Sequence, residues 1–195
     1  MDIKEVKRIL GTRHSVNVDF LNQFVKKLKL KKDARILDIG TGAGVMAIVL
    51  ALNNHKIITG EPETDNSKYA KQDWQTNAKK VNVDHLITFK SFNAEEMPFE
   101  NKSFDAIFIY GSLHHIDNKV STLKECIRIL KLNGILCIIE PTRKGIELIQ
   151  KINPSHPDAV DPREYAQNFP LSVEVKKNPM VNAFIFKEIK IEKHS

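Results

Sequence analysis

The sequence predicts an α/β protein with a doubly wound, seven-stranded sheet that is mostly parallel and ends in an antiparallel hairpin. Three observations lead to this fold class. Short apolar runs alternate with helical patterns between residues 35 and 140, as in repeated strand–helix–strand units. The first apolar run leads directly into a glycine-rich turn. The last two apolar runs are joined by a short turn, so they can pair only as a hairpin.

The strands are predicted from apolar runs that end in polar or glycine-containing turns. Five parallel strands are expected near residues 35–39, 56–60, 87–91, 104–110 and 134–140. The hairpin strands are expected at residues 171–177 and 181–191, on either side of the turn signal Asn178-Pro179.

Two helices are predicted on either side of the first strand. Residues 45–52 are apolar almost all round, which is typical of a helix that packs against a sheet. An amphipathic helix should precede the first strand, with its apolar face formed by Phe20, Leu21, Phe24, Val25 and Leu28.

Two later helices show single apolar stripes. One stripe consists of Ala70, Trp74, Ala78 and Val81, and Asp65 or Asn66 is the candidate cap of its helix. The other consists of Val120, Leu123, Ile127 and Leu130. The second of these helices should end before Asn133-Gly134, which is a C-cap signal.

The composition fits a single soluble domain. The 195 residues include 42% apolar and 28% charged residues, which is ordinary for a globular protein with one core. No apolar run approaches the ~20 residues of a membrane span, and the first residues contain no secretory signal, so a cytoplasmic location is expected. Cys126 and Cys137 lie in apolar patterns and should be buried, inert thiols.

The net charge of +6 is concentrated near the amino terminus. Residues 1–35 contain ten Lys or Arg and four Asp or Glu, whereas the remaining residues contain twenty of each. Such a basic segment can meet an anionic substrate or RNA. A solvated helix face is favoured, because no aromatic residues alternate with the lysines to stack on nucleotide bases.

The glycine-rich turn after the first strand predicts a site for a nucleotide-type cofactor. Gly40, Gly42 and Gly44 alternate here, with Asp38 two residues before the first glycine. A dinucleotide fingerprint has the spacing G-x-G-x-x-G, but the third glycine here comes one residue early. The stretch instead resembles the D/E-x-G-x-G-x-G motif of class I S-adenosylmethionine-dependent methyltransferases. This resemblance implies a Rossmann-like fold with S-adenosylmethionine held by these residues and Thr41.

Two further segments resemble the cofactor-binding parts of this family. Glu61 follows the second strand, 21 residues after Gly40, where an acidic side chain can accept hydrogen bonds from ribose hydroxyls. Pro62 adjoins it, and Glu63 is a lesser candidate. The segment from Asn93 and Ala94 to Phe99 resembles the family's D-A-x-x-L-P-F, which lies along the adenine. Asn93 can either bind the adenine or simply form a turn.

The fourth strand and its continuation resemble the F-D-x-V…L-H-H-V segment of the small-molecule and lipid-type methyltransferases. The resemblance implies that backbone carbonyls of Ile109 and Tyr110 receive the amino group of the methionine moiety. No Asn-Pro-Pro-Phe/Tyr run is present, which argues against acceptors methylated on amide or exocyclic amino nitrogens.

The residues that face the acceptor are predicted less directly. His114 and His115 can take a proton from a hydroxyl or thiol, but the family resemblance favours a structural or site-lining role, with His115 towards the acceptor. His14 lies in the segment that often covers the pocket in this family. Glu140 ends the fifth strand and should contact the acceptor or pair with a lysine. No metal site is predicted, because no paired-ligand spacing accompanies the histidines.

The family resemblance implies one domain over residues 1–195, with a helical lid segment at 1–33, the cofactor-binding core at 34–141, and a substrate-side connection with the closing hairpin at 142–195. The expected reaction is in-line methyl transfer to a small-molecule acceptor, with positioning as the main contribution of the protein. Three alternatives remain: a catalytically silent module that binds cofactor or a protein, an RNA methyltransferase, and a nicotinamide-dependent oxidoreductase. The last lacks both the glycine spacing and a Tyr-x-x-x-Lys pair.

Overall fold

A computed structural model describes residues 3–65, 70 and 72–189, except for the side chains of residues 12–14. Its helices are α1 (Ile3–Ser15), α2 (Val18–Leu28), α3 (Val45–Leu52), α4 (Trp74–Lys80), α5 (Lys119–Ile129), α6 (Arg143–Ile152) and α7 (Pro162–Ala166). Its strands are β1 (Ile36–Ile39), β2 (Ile57–Gly60), β3 (Ile87–Phe89), β4 (Phe104–Tyr110), β5 (Leu130–Pro141), β6 (Leu171–Lys177) and β7 (Val181–Glu188).

The strands form one seven-stranded sheet in the order β3-β2-β1-β4-β5-β7-β6. Strands β1 to β5 are parallel, and β7 pairs antiparallel with both β5 and β6. The predicted fold class is therefore confirmed. Because β1 lies between β2 and β4, the direction of winding reverses at β1, and a crevice forms at the carboxyl ends of β1 and β4.

Apolar side chains cover both faces of the sheet. Ile36 and Phe108 point to one layer, which includes α1, α2 and α3, whereas their neighbours Leu37 and Ile109 point to the other, which includes α5. Because both faces are buried there, the central strands β1, β2 and β4 are mostly apolar, whereas the edge strand β6 is largely exposed and alternates with polar residues. Cys126 and Cys137 are free and fully buried, as predicted, and burial raises the pKa of both thiols.

Two predicted helix boundaries are wrong. Helix α4 begins at Trp74, because the Oδ1 atom of Asp73 caps it by accepting a hydrogen bond from the backbone N–H of Thr76 at 3.0 Å. The candidate cap Asp65 lies outside the helix, and Asn66 lies outside the described residues. Ala70 precedes the helix but is still buried.

Helix α5 also ends earlier than the Asn133-Gly134 signal indicates. Leu130 already has extended backbone angles and pairs with Phe104, so the chain enters β5 directly after Ile129. Asn133 has the expected left-handed conformation, with φ of 66°, but it lies within an irregularity of β5 rather than at the helix end. No helix in the described part of the chain has the length and apolar character needed to cross a bilayer.

Candidate functional site

The turn between β1 and α3 depends on its glycines. Gly40, Gly42 and Gly44 have φ values of 89°, 48° and 79°, which are in the left-handed region that other residues rarely adopt. A Cβ atom on Gly40 would lie 2.6 Å from both Cβ and Oγ of Ser112. The Oγ atom of Ser112 donates a hydrogen bond to the carbonyl of Ile39 at 2.8 Å. The turn therefore lies directly against the chain segment that follows β4.

Asp38 lies in β1 immediately before this turn, and its exposed fraction is 1%. Its Oδ2 atom accepts a hydrogen bond of 2.9 Å from the Thr59 hydroxyl, which lies 2.9 Å from the Thr41 hydroxyl. Burial raises the pKa of Asp38 to about 7, although the Thr59 hydrogen bond lowers it and Glu61 raises it further. Its Oδ1 atom is buried with no hydrogen-bond partner among residues 3–65, 70 and 72–189.

Glu61 meets the glycine turn directly. Its Oε2 atom accepts a hydrogen bond of 3.1 Å from the backbone N–H of Gly42. Burial raises the pKa of Glu61, the Gly42 hydrogen bond lowers it, and Asp65 raises it. Pro62 follows at the partly buried start of the loop, whereas Glu63 is exposed. Glu61 and the glycine turn, which were identified separately in the sequence, are thus in direct contact although Gly42 and Glu61 are 19 residues apart.

Asn93 and Ala94 follow β3 at the same edge of the sheet. Asn93 is exposed, and its Oδ1 atom accepts a hydrogen bond of 2.9 Å from the backbone N–H of Glu95. Ala94 is buried against the second apolar layer. Asn93 therefore forms a turn through its side-chain oxygen, and its side-chain nitrogen is not required for that turn.

Ile109 and Tyr110 end β4 beside the glycine turn. Ile109 pairs with Ile39 of β1, and Tyr110 pairs with Ile139 of β5. The Tyr110 hydroxyl accepts a hydrogen bond of 3.0 Å from Nδ2 of Asn17, which immediately precedes α2. The amino-terminal helices are therefore connected to the end of β4. His14 lies in α1, but its side chain falls outside the described residues.

Among the described residues Glu140 pairs with a histidine rather than with a lysine, and its carboxylate is buried rather than open to an acceptor. Its side chain is 1% exposed, and its Oε1 atom accepts a hydrogen bond of 3.1 Å from the backbone N–H of Leu113. Its Oε2 atom lies 2.5 Å from Nδ1 of His114, whose side chain is also 1% exposed. The prediction is wrong because this glutamate ends a buried strand, where a carboxylate is stable only with close hydrogen-bond donors. Glu140 positions His114 instead.

Three histidines form a cluster above the ends of β4 and β5. The ring centroids of His114 and His115 are 4.2 Å apart, and the His156 ring lies 5.1 Å and 5.0 Å from them. His115 is exposed, while His114 and His156 are buried. Desolvation of the His115 ring, followed by the effects of His114 and His156, lowers its pKa to about 4.

No sequence pattern indicated a role for His156. It lies in the turn after α6, 41 residues beyond His115, and no local spacing connects it to the pair. Its Nδ1 atom lies 2.9 Å from the carbonyl oxygen of Pro157. Only the path of α6 and the following turn brings this side chain to the cluster.

Known proteins with similar sequences are methyltransferases. The sequence model of the family described as "Methyltransferase domain" matches residues 37–138. The chain is 31% identical over 124 residues to the 27-O-demethylrifamycin SV methyltransferase of Amycolatopsis mediterranei, covering 62% of this chain and 44% of that protein. It is 29% identical over 130 residues to the ubiquinone/menaquinone biosynthesis C-methyltransferase UbiE of Rhizobium rhizogenes, covering 66% and 50%. The chain thus spans about half the length of these relatives.

The fold is also shared with solved structures. The PH0226 protein from Pyrococcus horikoshii superposes with a TM-score of 0.69 at 18% identity, with 93% of each chain covered. At this identity the similarity concerns the fold alone. The family match spans the glycine turn, Glu61, Asn93 and the end of β4. The chain therefore belongs to the class I S-adenosylmethionine-dependent methyltransferases, and S-adenosylmethionine is its cofactor.

Proposed function

We propose that this protein transfers the methyl group of S-adenosylmethionine to a small-molecule acceptor at the carboxyl edge of the sheet. The observation that supports this most directly is the contact between Glu61 and Gly42. This contact places a carboxylate that can accept hydrogen bonds from sugar hydroxyls beside a glycine turn. The backbone of such a turn can approach a ligand closely. The contact lies at the point where the winding of the sheet reverses, which is where such folds bind ligands.

The residues at this edge fit the cofactor chemically. Glu61 uses one oxygen for Gly42, so its other oxygen can accept from the ribose hydroxyls, with Pro62 beside it. Asn93 and Ala94 would lie along the adenine. The turn residues Gly40, Thr41, Gly42 and Gly44, with the carbonyls of Ile109 and Tyr110, would hold the methionine moiety. The buried Oδ1 of Asp38 offers an unsatisfied acceptor beneath the same turn.

When bound, S-adenosylmethionine supplies an electrophilic methyl group on a good leaving group. The chain must therefore chiefly hold the acceptor in line, and proximity and orientation can contribute roughly 7–11 kcal/mol to such a reaction. His115 is the exposed histidine of the cluster and would line the acceptor pocket. With a pKa of about 4, His115 is a weak base near neutral pH, so positioning is expected to matter more than proton removal.

The acceptor is proposed to be a small molecule with a nucleophilic oxygen or carbon. The names of the two relatives specify 27-O-demethylrifamycin SV and a C-methylation step in ubiquinone/menaquinone biosynthesis. Because each match covers only part of the relative, the acceptor itself has to be identified on this chain.

Calorimetric titration with S-adenosylmethionine and with NAD(P)H tests the cofactor site. We expect saturable one-to-one binding of S-adenosylmethionine and none of the nicotinamide cofactors. Formation of S-adenosylhomocysteine across a panel of phenols, quinols and macrocyclic alcohols then tests transfer. Tight binding without turnover on any acceptor would contradict the transfer reaction, and turnover only with RNA would contradict the small-molecule acceptor.

A further inference from the structure

We propose that His114, His115 and His156 form a binding site for a divalent transition-metal ion of the zinc type. One ring nitrogen from each histidine lies within 4.8 Å of the corresponding nitrogens of the other two. The cluster lies beyond the carboxyl ends of β4 and β5, and none of its members is among the residues proposed to hold the cofactor. Metal binding can be measured without cofactor or acceptor, so this proposal is tested separately from the methyl transfer.

The distances suit a site that closes slightly around an ion. Zinc–nitrogen bonds are about 2.0–2.1 Å, so the nitrogens of a tetrahedral site lie ~3.4 Å apart. The present upper limit of 4.8 Å therefore requires the nitrogens to approach one another by up to ~1.4 Å. Such movement is feasible because His115 is exposed and His156 lies in a turn rather than in a helix or strand.

The surroundings of two histidines already resemble those of metal ligands. Metal-bound histidines usually donate one ring N–H to a carboxylate or a backbone carbonyl, which fixes the other nitrogen as the ligand atom. The Nδ1 atom of His114 lies 2.5 Å from the carboxylate of Glu140, and Nδ1 of His156 lies 2.9 Å from the carbonyl of Pro157. In both rings Nε2 is then the ligand atom.

His114 supplies an independent sign of a missing ligand. Its Nε2 atom is buried and has no hydrogen-bond partner in the part of the chain that the structure describes. Burying a polar atom costs free energy when the atom loses its hydrogen bonds to water and gains no partner in the protein. A buried atom without a partner therefore needs an explanation. Coordination of an ion by this nitrogen would provide the partner.

The ligand set also indicates the class of metal. Three nitrogen ligands favour zinc, cobalt, nickel or copper over magnesium or calcium, which prefer oxygen. Three protein ligands also leave a coordination position open on the exposed side of His115.

Titration of the untagged, cofactor-free protein with Zn²⁺ tests the site, and Co²⁺ serves as a spectroscopic probe. We expect one ion per chain and the visible absorption of tetrahedral Co²⁺. His115→Gln and His156→Gln should each weaken Zn²⁺ binding at least tenfold, and Glu140→Gln by ~10–100-fold through the loss of orientation of His114. His85→Gln is the matched control, because His85 is exposed and lies in a different segment, before β3.

Several outcomes would overturn the proposal. These are the absence of stoichiometric Zn²⁺ binding, binding that survives both His115→Gln and His156→Gln, or an equal loss in His85→Gln. Circular dichroism verifies that each variant is folded. If the His156→Gln protein does not fold, two other results test the proposal: Zn²⁺ binding by the His115→Gln protein, and long-range ¹H–¹⁵N spectra of the wild type. In those spectra, Zn²⁺ must shift the ring nitrogens of His114, His115 and His156 and leave those of His85 unchanged.

Discussion

The Nδ1 atom of His114 lies 2.5 Å from Oε2 of Glu140, although 26 residues separate them in the sequence. The other oxygen of Glu140 accepts from the backbone N–H of Leu113. One buried carboxylate on β5 therefore fixes both the backbone and the side chain of the segment that follows β4. That segment carries Ser112, which contacts the glycine turn, so Glu140 supports the site through this segment.

Removing the Glu140 side chain should destabilise the protein. Glu140→Ala leaves two buried donors without their acceptor, and we expect a loss of about 3 kcal/mol in the free energy of unfolding. Glu140→Gln retains a carbonyl acceptor and should lose less. Urea denaturation measures both values.

The control for Glu140 is an exposed carboxylate on a neighbouring element. Glu147 pairs with Arg143 on the surface of α6, and exposed pairs of this kind contribute little. Glu147→Ala should leave the midpoint of unfolding almost unchanged. A Glu140→Ala loss no larger than that of Glu147→Ala would contradict the supporting role of Glu140.

The contact between Gly40 and Ser112 can be tested with a pair of glycine variants. Gly40→Ala combines a left-handed backbone with a Cβ atom placed 2.6 Å from Ser112, whereas Gly111→Ala has a similar φ of 60° but open space around its Cβ. We expect ~1–3 kcal/mol more destabilisation for Gly40→Ala than for Gly111→Ala, because only the former is overpacked. Thermal or urea unfolding of the two proteins gives this difference directly, and equal losses would mean that Ser112 moves away freely.

The parts of the site that were predictable from sequence are those encoded locally. The glycine turn is visible because left-handed backbone at Gly40 and Gly44 demands glycine, and Glu61 is visible because parallel strands place their carboxyl ends at one edge. The fold class followed from the same alternation of strands and helices. These features require no knowledge of distant side-chain contacts.

The parts that were not predictable depend on tertiary contacts. A glutamate at a strand end is usually exposed, and the burial of Glu140 is acceptable because His114 and the backbone N–H of Leu113 bind its carboxylate. His156 reaches the cluster through the course of α6 and its turn, which no local pattern specifies. The beginning of α4 was misjudged because Ala70 continues the apolar stripe, yet Asp73 supplies the cap.

The buried carboxyl of Asp38 should make stability depend on pH. Its pKa is raised from 3.8 to about 7 by burial, so between these values the folded protein holds a proton that the unfolded chain has lost. Stability contributed by this group is therefore full below pH ~4, falls as pH rises, and reaches its minimum above pH ~7. Asp38→Asn removes this dependence.

The difference between wild type and Asp38→Asn isolates that effect. We expect the variant to gain up to about 4 kcal/mol relative to wild type between pH 4 and pH 8. Unfolding free energies measured by urea at several pH values provide the comparison, in which other titrating groups cancel. A constant difference across this range would show that Asp38 is ionised in the folded protein at all these values.

Glu61 should control cofactor affinity and its response to pH. A hydrogen bond to a charged group contributes about 1.5–3 kcal/mol, so Glu61→Gln should weaken S-adenosylmethionine binding by ~10-fold or more at pH 8. Because burial raises the pKa of Glu61, wild-type affinity should fall towards that of the variant as the solution is acidified and the carboxylate is protonated. The Glu61→Gln protein lacks this titration.

Calorimetry at several pH values measures both effects on S-adenosylmethionine affinity, with Glu63→Gln as the control because Glu63 is exposed in the same loop. Equal losses in the two variants would assign the effect to the general charge of the loop rather than to a ribose contact at Glu61.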